Sequence, residues 1–288
     1  MVDRNMDAAS DFAGSLEPGM VAVLGVPFDD NSSFLRGAAL APGRIREALS
    51  SGASNLCAEN GLDLGAVPRW RDLGDLQLGT GPAALAQIES AVAALVKQDV
   101  RVLALGGDHA VSLPIVRAYA RRFDRLNVLH LDAHPDLYDE YEGNRFSHAC
   151  PFARIMEEGL VARLVQVGIR TMNPHQRAQV EKFGVDVIDM RRWHAGLELV
   201  FDGPLYLSLD MDVLDPAFAP GVSHHEPGGL STREVLQLLQ NVTVPLVGAD
   251  LVEFNPIRDP AGVTAAVAAK LLKEIVACML VDRLQAAD

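Results

Sequence analysis

The chain has 288 residues, 49% of them hydrophobic and 22% charged, values ordinary for a globular protein whose core needs no disulfides. Its formal net charge of −13 argues against a nucleic-acid or anionic-membrane partner, since either demands a basic surface. Cys57, Cys150 and Cys278 are widely spaced and form no CxxC pair, so they read as reduced thiols rather than a disulfide framework or a zinc knuckle.

Residues 1–19 lack periodicity and read as a loosely ordered segment. They mix Asp3, Arg4, Asp7, Asp11 and Glu17 with small residues, the composition of neither a signal peptide nor a transit peptide. No apolar run reaches the length of a membrane span, so the expected location is the cytoplasm. Val21–Val26, Val100–Leu105, Val128–Leu131, Leu164–Val167, Val185–Ile188, Leu205–Leu209 and Leu246–Ala249 are short runs rich in Val and Leu. They read as buried strands. Between Pro82 and Val100, residues Leu85, Ile88, Val92, Leu95 and Val96 recur at helical spacing. Ser231 with Glu234 three residues on makes a capping box, and Val263 to Leu284 reads as an alanine- and leucine-rich helix. Alternation of strands and helices predicts an α/β fold, three layers α/β/α around a mostly parallel sheet. Residues 20–288 are expected to form one catalytic domain.

Open parallel sheets bind ligands beyond the carboxyl ends of their strands, and the acids and imidazoles collect there. Gly106-Gly107-Asp108-His109, Asp132-Ala133-His134-Pro135-Asp136, Asp210-Met211-Asp212 and Asp250 with Glu253 each follow a predicted strand. In an extended backbone, residues two apart point to the same side, so Asp132, His134 and Asp136 converge, as do Asp210 and Asp212. Such groups facing one space repel unless a cation lies between them. Asp132, Asp136, Asp210 and Asp212 carry −4, which two divalent ions balance, and His109 and His134 add neutral donors. An oxygen-rich set with some imidazole suits manganese better than zinc, with other divalent metals open.

These residues carry a resemblance. GGDHA, LDAHPD and SLDMDVLDP resemble the signatures of the ureohydrolases, the arginase and agmatinase family. Gly25-Val26-Pro27-Phe28-Asp29, Ser147-His148-Ala149 and Val252-Glu253-Phe254-Asn255-Pro256 extend it over roughly residues 20 to 280. DAHPDLYDEYEGN, SHACPFARI and DPAFAPGVSHHEPGGLS look most like the plant-type arginases. The resemblance implies two Mn(II) ions and hydrolysis of a guanidino C–N bond by a metal-bridging hydroxide, water being acidified between two cations. It assigns His109, Asp132, Asp136 and Asp210 to one metal and His134, Asp132, Asp210 and Asp212 to the other. It makes Glu253 the partner of the guanidinium, a planar fork that suits a carboxylate. It makes His148 the proton shuttle to the leaving amine. A homo-oligomer, trimer or hexamer, is implied as well.

The far end of the substrate is read by the loop after the DxHxD segment. Tyr138 and Asn173 stand where animal arginases have the asparagine and the acid that hold the amino-acid group, and Asn144 lies in the same loop. L-arginine is the expected substrate, with agmatine or another guanidino compound as alternative. His130 reads as a packed residue behind the ligands, Asp215 as a support of the DxD segment, and His224 or His225 as a rim residue. Arg36, Arg44 and Arg46 read as structural. A single-metal deacetylase-like enzyme would not need His109 or Glu253. A two-metal nuclease would need a basic surface, a Rossmann binder would need GxGxxG, and a non-catalytic binding protein would be marked by a lost ligand.

Overall fold

The structure, a computed structural model, describes residues 16–281. The expectation for residues 1–19 therefore falls largely outside the described residues, as do the last residues expected in the C-terminal helix. Eight parallel strands form one sheet in the order β2-β1-β3-β8-β7-β4-β5-β6. They are β1 (Val21–Gly25), β2 (Trp70–Asp75), β3 (Arg101–Leu105), β4 (Asn127–Leu131), β5 (Arg163–Ile169), β6 (Asp186–Asp189), β7 (Leu205–Asp210) and β8 (Leu246–Val252). Seven of them match the apolar runs. The eighth, β2, is a partly exposed edge strand of sequence WRDLGD, whose charges break the apolar signal and help keep such an edge from pairing with another chain. Arg46 fixes it by pairing with Asp72 at 2.7 Å and with Asp75.

The helices are α1 (Ala41–Ser50), α2 (Gly81–Lys97), α3 (Ser112–Ala120), α4 (Pro151–Glu157), α5 (Pro174–Phe183), α6 (Thr232–Gln240) and α7 (Val263–Leu280). Strand residues alternate between the two faces of the sheet. Val21, Val23, Leu103, Leu105, Leu207 and Leu209 pack with Ile45 of α1, Val235 of α6 and Leu272 of α7. Ala22, Leu24, Val102, Ala104 and Tyr206 pack with Ile88 of α2, Ile115 of α3 and Phe152 of α4. This alternation is the period-two geometry of a strand buried on both sides. The helix start at Ser231 follows its sequence signal: its side chain accepts from Glu234 N–H and Glu234 returns a bond to the Ser231 backbone. Such a cap contributes about 1 kcal/mol.

The strands that end in acids and imidazoles, β3, β8, β7 and β4, are consecutive neighbours at the middle of the sheet. Sequence order separates them; the crossovers bring them together. Glycine is required where β3 turns out of the sheet, because a Cβ on Gly107 would lie 1.6 Å from Phe28 O.

Candidate active site

The DxHxD segment does not converge by strand alternation. β4 ends at Leu131, and Asp132 to Asp136 form a tight turn, with Asp136 at φ 49°. Ala133 O accepts from Arg170 and Thr171 N–H, and Ala133 N–H donates to Asp212 Oδ1 at 3.1 Å. The turn is thus tied to the ends of its neighbours β5 and β7. Asp210 and Asp212 sit likewise on a short 3-10 turn, where Asp212 N–H donates to Asp210 Oδ1 at 2.8 Å.

The result is a buried floor of facing acceptors. His109 Nδ1 lies 3.2 Å from Asp132 Oδ2, 3.1 Å from Asp136 Oδ2 and 3.1 Å from Asp210 Oδ2. His134 Nδ1 lies 3.4 Å from Asp132 Oδ1 and 3.0 Å from Asp212 Oδ2. Asp132 thus turns one oxygen to each group. Asp210 presents Oδ2 to His109 and commits Oδ1 to the Asp212 N–H. His109, His130 and Asp132 also gather at metal-ligand distance, as do Asp132, His134 and Asp212. His130, however, is spoken for. The Gln166 amide donates to its Nδ1 at 3.0 Å, so its proton sits on Nε2 and is given to Asp132 Oδ2 at 2.7 Å. His130 orients Asp132, and Phe152 stacks on its ring at 3.8 Å.

Whether the donor set fits a cation is decided by His109. Asp250 is buried and accepts from Tyr206 OH at 2.6 Å and from Ser208 Oγ at 2.7 Å. The one hydroxyl proton of Ser208 being spent on Asp250, its oxygen accepts from His109 Nε2–H at 2.9 Å. Nδ1 is then a bare lone pair, buried, with no hydrogen-bond partner of good geometry, facing carboxylate oxygens. Lone pairs so arranged are stable only around a positive charge. The residues fit a metal.

The titration tendencies of the floor express the same demand. Burial would depress the pKa of His109, yet Asp132, Asp136 and Asp210 hold it well above the ordinary value. Burial likewise opposes His134, which Asp212 and Asp132 raise. Burial raises Asp210 well above the carboxylate range, with Asp212 and Asp132 adding repulsion. It also raises Asp212, against the pull of His134. Asp132, despite burial, is held well below by His130, His109 and His134. The raised groups and the crowded carboxylates alike favour a positive charge between them.

Above the floor lies a pocket of about 190 Å³, whose lining includes His134, Asp136, Asp210, Asp212, His148 and Glu253 but, among the described residues, no lysine or arginine. Glu253 adopts φ 63°, a left-handed conformation uncommon for glutamate and frequent at functional positions. Its Oε1 accepts from His109 N–H at 2.8 Å and lies 2.8 Å from His148 Nδ1, which leaves Oε2 for a ligand. Burial would raise Glu253, but His148 holds it below the usual range.

The outer wall consists of Tyr138, Tyr141, Thr171, Gln176 and His224. Of the residues expected to read the substrate tail, Tyr138 reaches the pocket. Asn173 caps α5 and donates to Tyr138 OH at 2.7 Å, while Asn144 donates to Asn31 Oδ1 at 3.1 Å. Neither asparagine lines the pocket. His224 does, 5.4 Å from His148 ring to ring, whereas His225 is exposed and bonds Pro220 O. Asp215 does not support the DxD turn: its carboxylate accepts from Ala217, Gly228 and Gly229 N–H and shapes the loop that carries His224. Arg170 holds the DxD turn instead, donating to Asp212 O at 2.6 Å and to Glu226 O at 2.7 Å. Ser33 and Arg170 have no motif of their own, and Ser208 and Gln176 stand in a signature and a capping box that do not tell of these contacts. Their parts in the site exist only through contacts between distant segments.

The chain is 47% identical over 273 residues to Arginase 1, mitochondrial, of Arabidopsis thaliana, covering 89% of this chain and 80% of that protein. It is 34% identical over 271 residues to an agmatinase of Bacillus cereus, covering 91% and 92%. The structure of an arginase from Medicago truncatula superposes with a TM-score of 0.84 at 43% identity, covering 92% of this chain and 89% of that one. The expected cytoplasmic location is overturned by these relatives, since the plant arginases at 45–47% identity include several named as mitochondrial; composition of the first residues was too weak a ground. Among the described residues no helix is long and apolar enough to cross a membrane. The Arginase family model matches residues 20–278, and the chain belongs to the arginase family.

Proposed function

We propose that the chain hydrolyses the guanidino group of L-arginine, with water, to ornithine and urea. The observation that carries this is the pairing of a cation-demanding floor with Glu253 and His148 in a pocket lined by acids and without lysine or arginine. Similarity to arginases supports the choice of substrate. His109, Asp132, Asp136 and Asp210 would hold one divalent ion and His134, Asp132, Asp210 and Asp212 a second, manganese being the expected metal. When bound, such ions supply neutralising charge and an acidified water.

The chain's own groups do the rest. Glu253 Oε2 faces the guanidinium and fixes its plane, which replaces a bimolecular encounter by a held one. His148 gives a proton to the departing amine nitrogen, without which the amine leaves as a poor anion. Tyr138, steadied by Asn173, meets the far end, and Asn144 braces the facing loop. Residues 20–288 act as one catalytic domain, and a homo-oligomer, trimer or hexamer, belongs to the same reading. Light scattering tests the assembly.

One observation favours a second reading. With no lysine or arginine in the lining among the described residues, the α-carboxylate of arginine would be held by other donors, whereas agmatine has no carboxylate to hold. Urea release from manganese-loaded protein, with arginine, agmatine and guanidinobutyrate in parallel, decides between them. Arginine is expected to give the highest kcat/KM. A preference for agmatine moves the function to the second reading, and no urea from any of them removes both.

A further inference from the structure

The two ring nitrogens of His148 have different company. Nδ1 lies 2.8 Å from Glu253 Oε1. Nε2 lies 2.7 Å from Ser33 Oγ and receives the Ser33 backbone N–H at 3.2 Å. That N–H can only donate, so it is satisfied by the neutral ring with its proton on Nδ1, facing Glu253. The hydroxyl is not so limited. It donates to a bare Nε2 and accepts from an Nε2–H, so it serves the ring in both protonation states.

Ser33 is held in place from both sides. Asp108 Oδ2 accepts from Asn31 N–H at 2.9 Å and from Ser32 Oγ at 3.4 Å, while Asp108 Oδ1 accepts from Ala110 N–H within the His109 turn. On the other side, His148 N–H donates to Asn31 O at 3.1 Å. The 31–33 segment is therefore fastened to the turn that carries His109 and to the loop that carries His148. Both ring nitrogens are thus engaged, Nδ1 by Glu253 and Nε2 by Ser33, and Ser33 and His148 both line the pocket.

We propose that Ser33 is the positioning residue of His148: its hydroxyl fixes the ring at Nε2 and supports the imidazole with and without the proton that the leaving amine takes. This rests on the reading of His148 as proton donor. The proton passes from Nε2 to the amine nitrogen as the C–N bond breaks, and the Ser33 hydroxyl then turns from acceptor to donor.

The groups facing the ring set the sign of the test. Burial would lower the pKa of His148, but Glu253, with Asp108 and Asp136 farther off, carries it up to about 9, and His224 packs beside it. Removing the hydroxyl takes away the acceptor for Nε2–H and leaves the backbone N–H, which opposes it. Ser33→Ala is therefore expected to lower the His148 pKa and to move the alkaline limb of the kcat–pH profile to lower pH. The same variant loses kcat about tenfold, the loss of one hydrogen bond to a charged group, with KM changed less than about twofold. Ser33→Thr restores kcat and limb. A Ser33→Ala enzyme with the wild-type kcat and limb overturns the proposal, as does a Thr variant no better than Ala.

A second readout needs no turnover. Imidazole nitrogen NMR of histidine-labelled, zinc-loaded protein follows the titration of His148 in wild type and Ser33→Ala, and an unchanged pKa overturns the proposal. If the wild type releases no urea from any guanidino compound, the substrate reading falls while this titration still decides Ser33.

Discussion

The floor and the outer wall of the pocket are built by opposite means. Floor groups leave the ends of β3, β4 and β7, are almost all buried, and face one another as charges in excess. Wall groups sit on loops and at the start of α5, are neutral, and apart from Gln176 are half-buried. A rigid, buried, charge-frustrated surface has one relief, a cation, and so it specifies metal. A half-exposed neutral surface ranks ligands by one or two hydrogen bonds. On the proposed function, the floor would decide whether the chemistry happens and the wall on which compound.

Substitution on the floor should therefore be the severest test of this division. Asp132 turns Oδ2 to His109 and Oδ1 to His134, so Asp132→Asn removes charge from both metal positions. We expect both metals to be lost on gel filtration and kcat/KM to fall by about a thousandfold or more. A variant that keeps two metals and most of its activity would show that Asp132 does not bridge. Glu253 stands between floor and wall, and Glu253→Gln should cost about a hundredfold in kcat/KM through loss of a charge-assisted fork. Metal content should stay at the wild-type level. The alkaline limb set by His148 should fall with it, since Glu253 is the main influence raising that imidazole.

Metal removal separates the regions by stability. Asp108 is raised by burial and by Glu253 to about 7, and Asp210 and Asp212 are raised as well. A carboxyl whose folded pKa exceeds its unfolded value binds more protons when folded, so its stabilising effect is lost as pH rises toward the folded pKa. His109 and His134, also raised, act in the same direction. Asp132, held low, acts in the opposite one, its contribution being present above the acid range and lost as pH falls. The metal-free protein is thus expected to lose stability between pH 6 and pH 8. Metal should restore it, by about 5 °C in Tm at the upper end. Equal metal stabilisation at both pH values would mean that the floor is not charge-frustrated.

The same contrast explains what the sequence made legible. Six strands were visible as apolar runs buried on both faces, and the edge strand β6, only partly buried, showed through the short run Val185–Ile188; β2 was not visible, because it is an edge strand whose charges face solvent. The floor residues were visible because strand ends concentrate them into short motifs. Their convergence came from turns rather than from extended alternation, as Asp136 at φ 49° shows. Ser33 and Arg170 carry no local signal, and Ser208, although inside the SLDMDVLDP segment, carries none for its contact with His109. Ser33 meets His148 across 115 positions of chain and Ser208 meets His109 across 99, so their roles depend on strand order and loop docking. Asn173 was placed by analogy of position and Asn144 by its loop, and the fold gives their side chains to a helix cap, to Tyr138 and to Asn31.

The smallest expected effect belongs to the wall and bears most directly on the substrate. Gln176 Oε1 accepts from Asn173 N–H at 3.1 Å while Gln176 N–H donates to Asn173 Oδ1 at 2.9 Å. The oxygen being fixed by a donor, the amide NH2 is the outward end. It makes no hydrogen bond among the described residues, although the side chain lines the pocket and the residue is only 4% exposed. A donor in that place suits the carboxylate of arginine and has no counterpart in agmatine. Gln176→Glu keeps the capping box, which accepts glutamate at this position, but replaces the donor by an acceptor and adds negative charge to an acidic pocket. KM for arginine should rise about tenfold, the penalty for a lost charge-assisted bond, with kcat preserved. KM for agmatine should stay level or fall. A rise of equal size for both substrates would make Gln176 part of the pocket's shape rather than its reader, and would shift the discrimination to Tyr138 and His224.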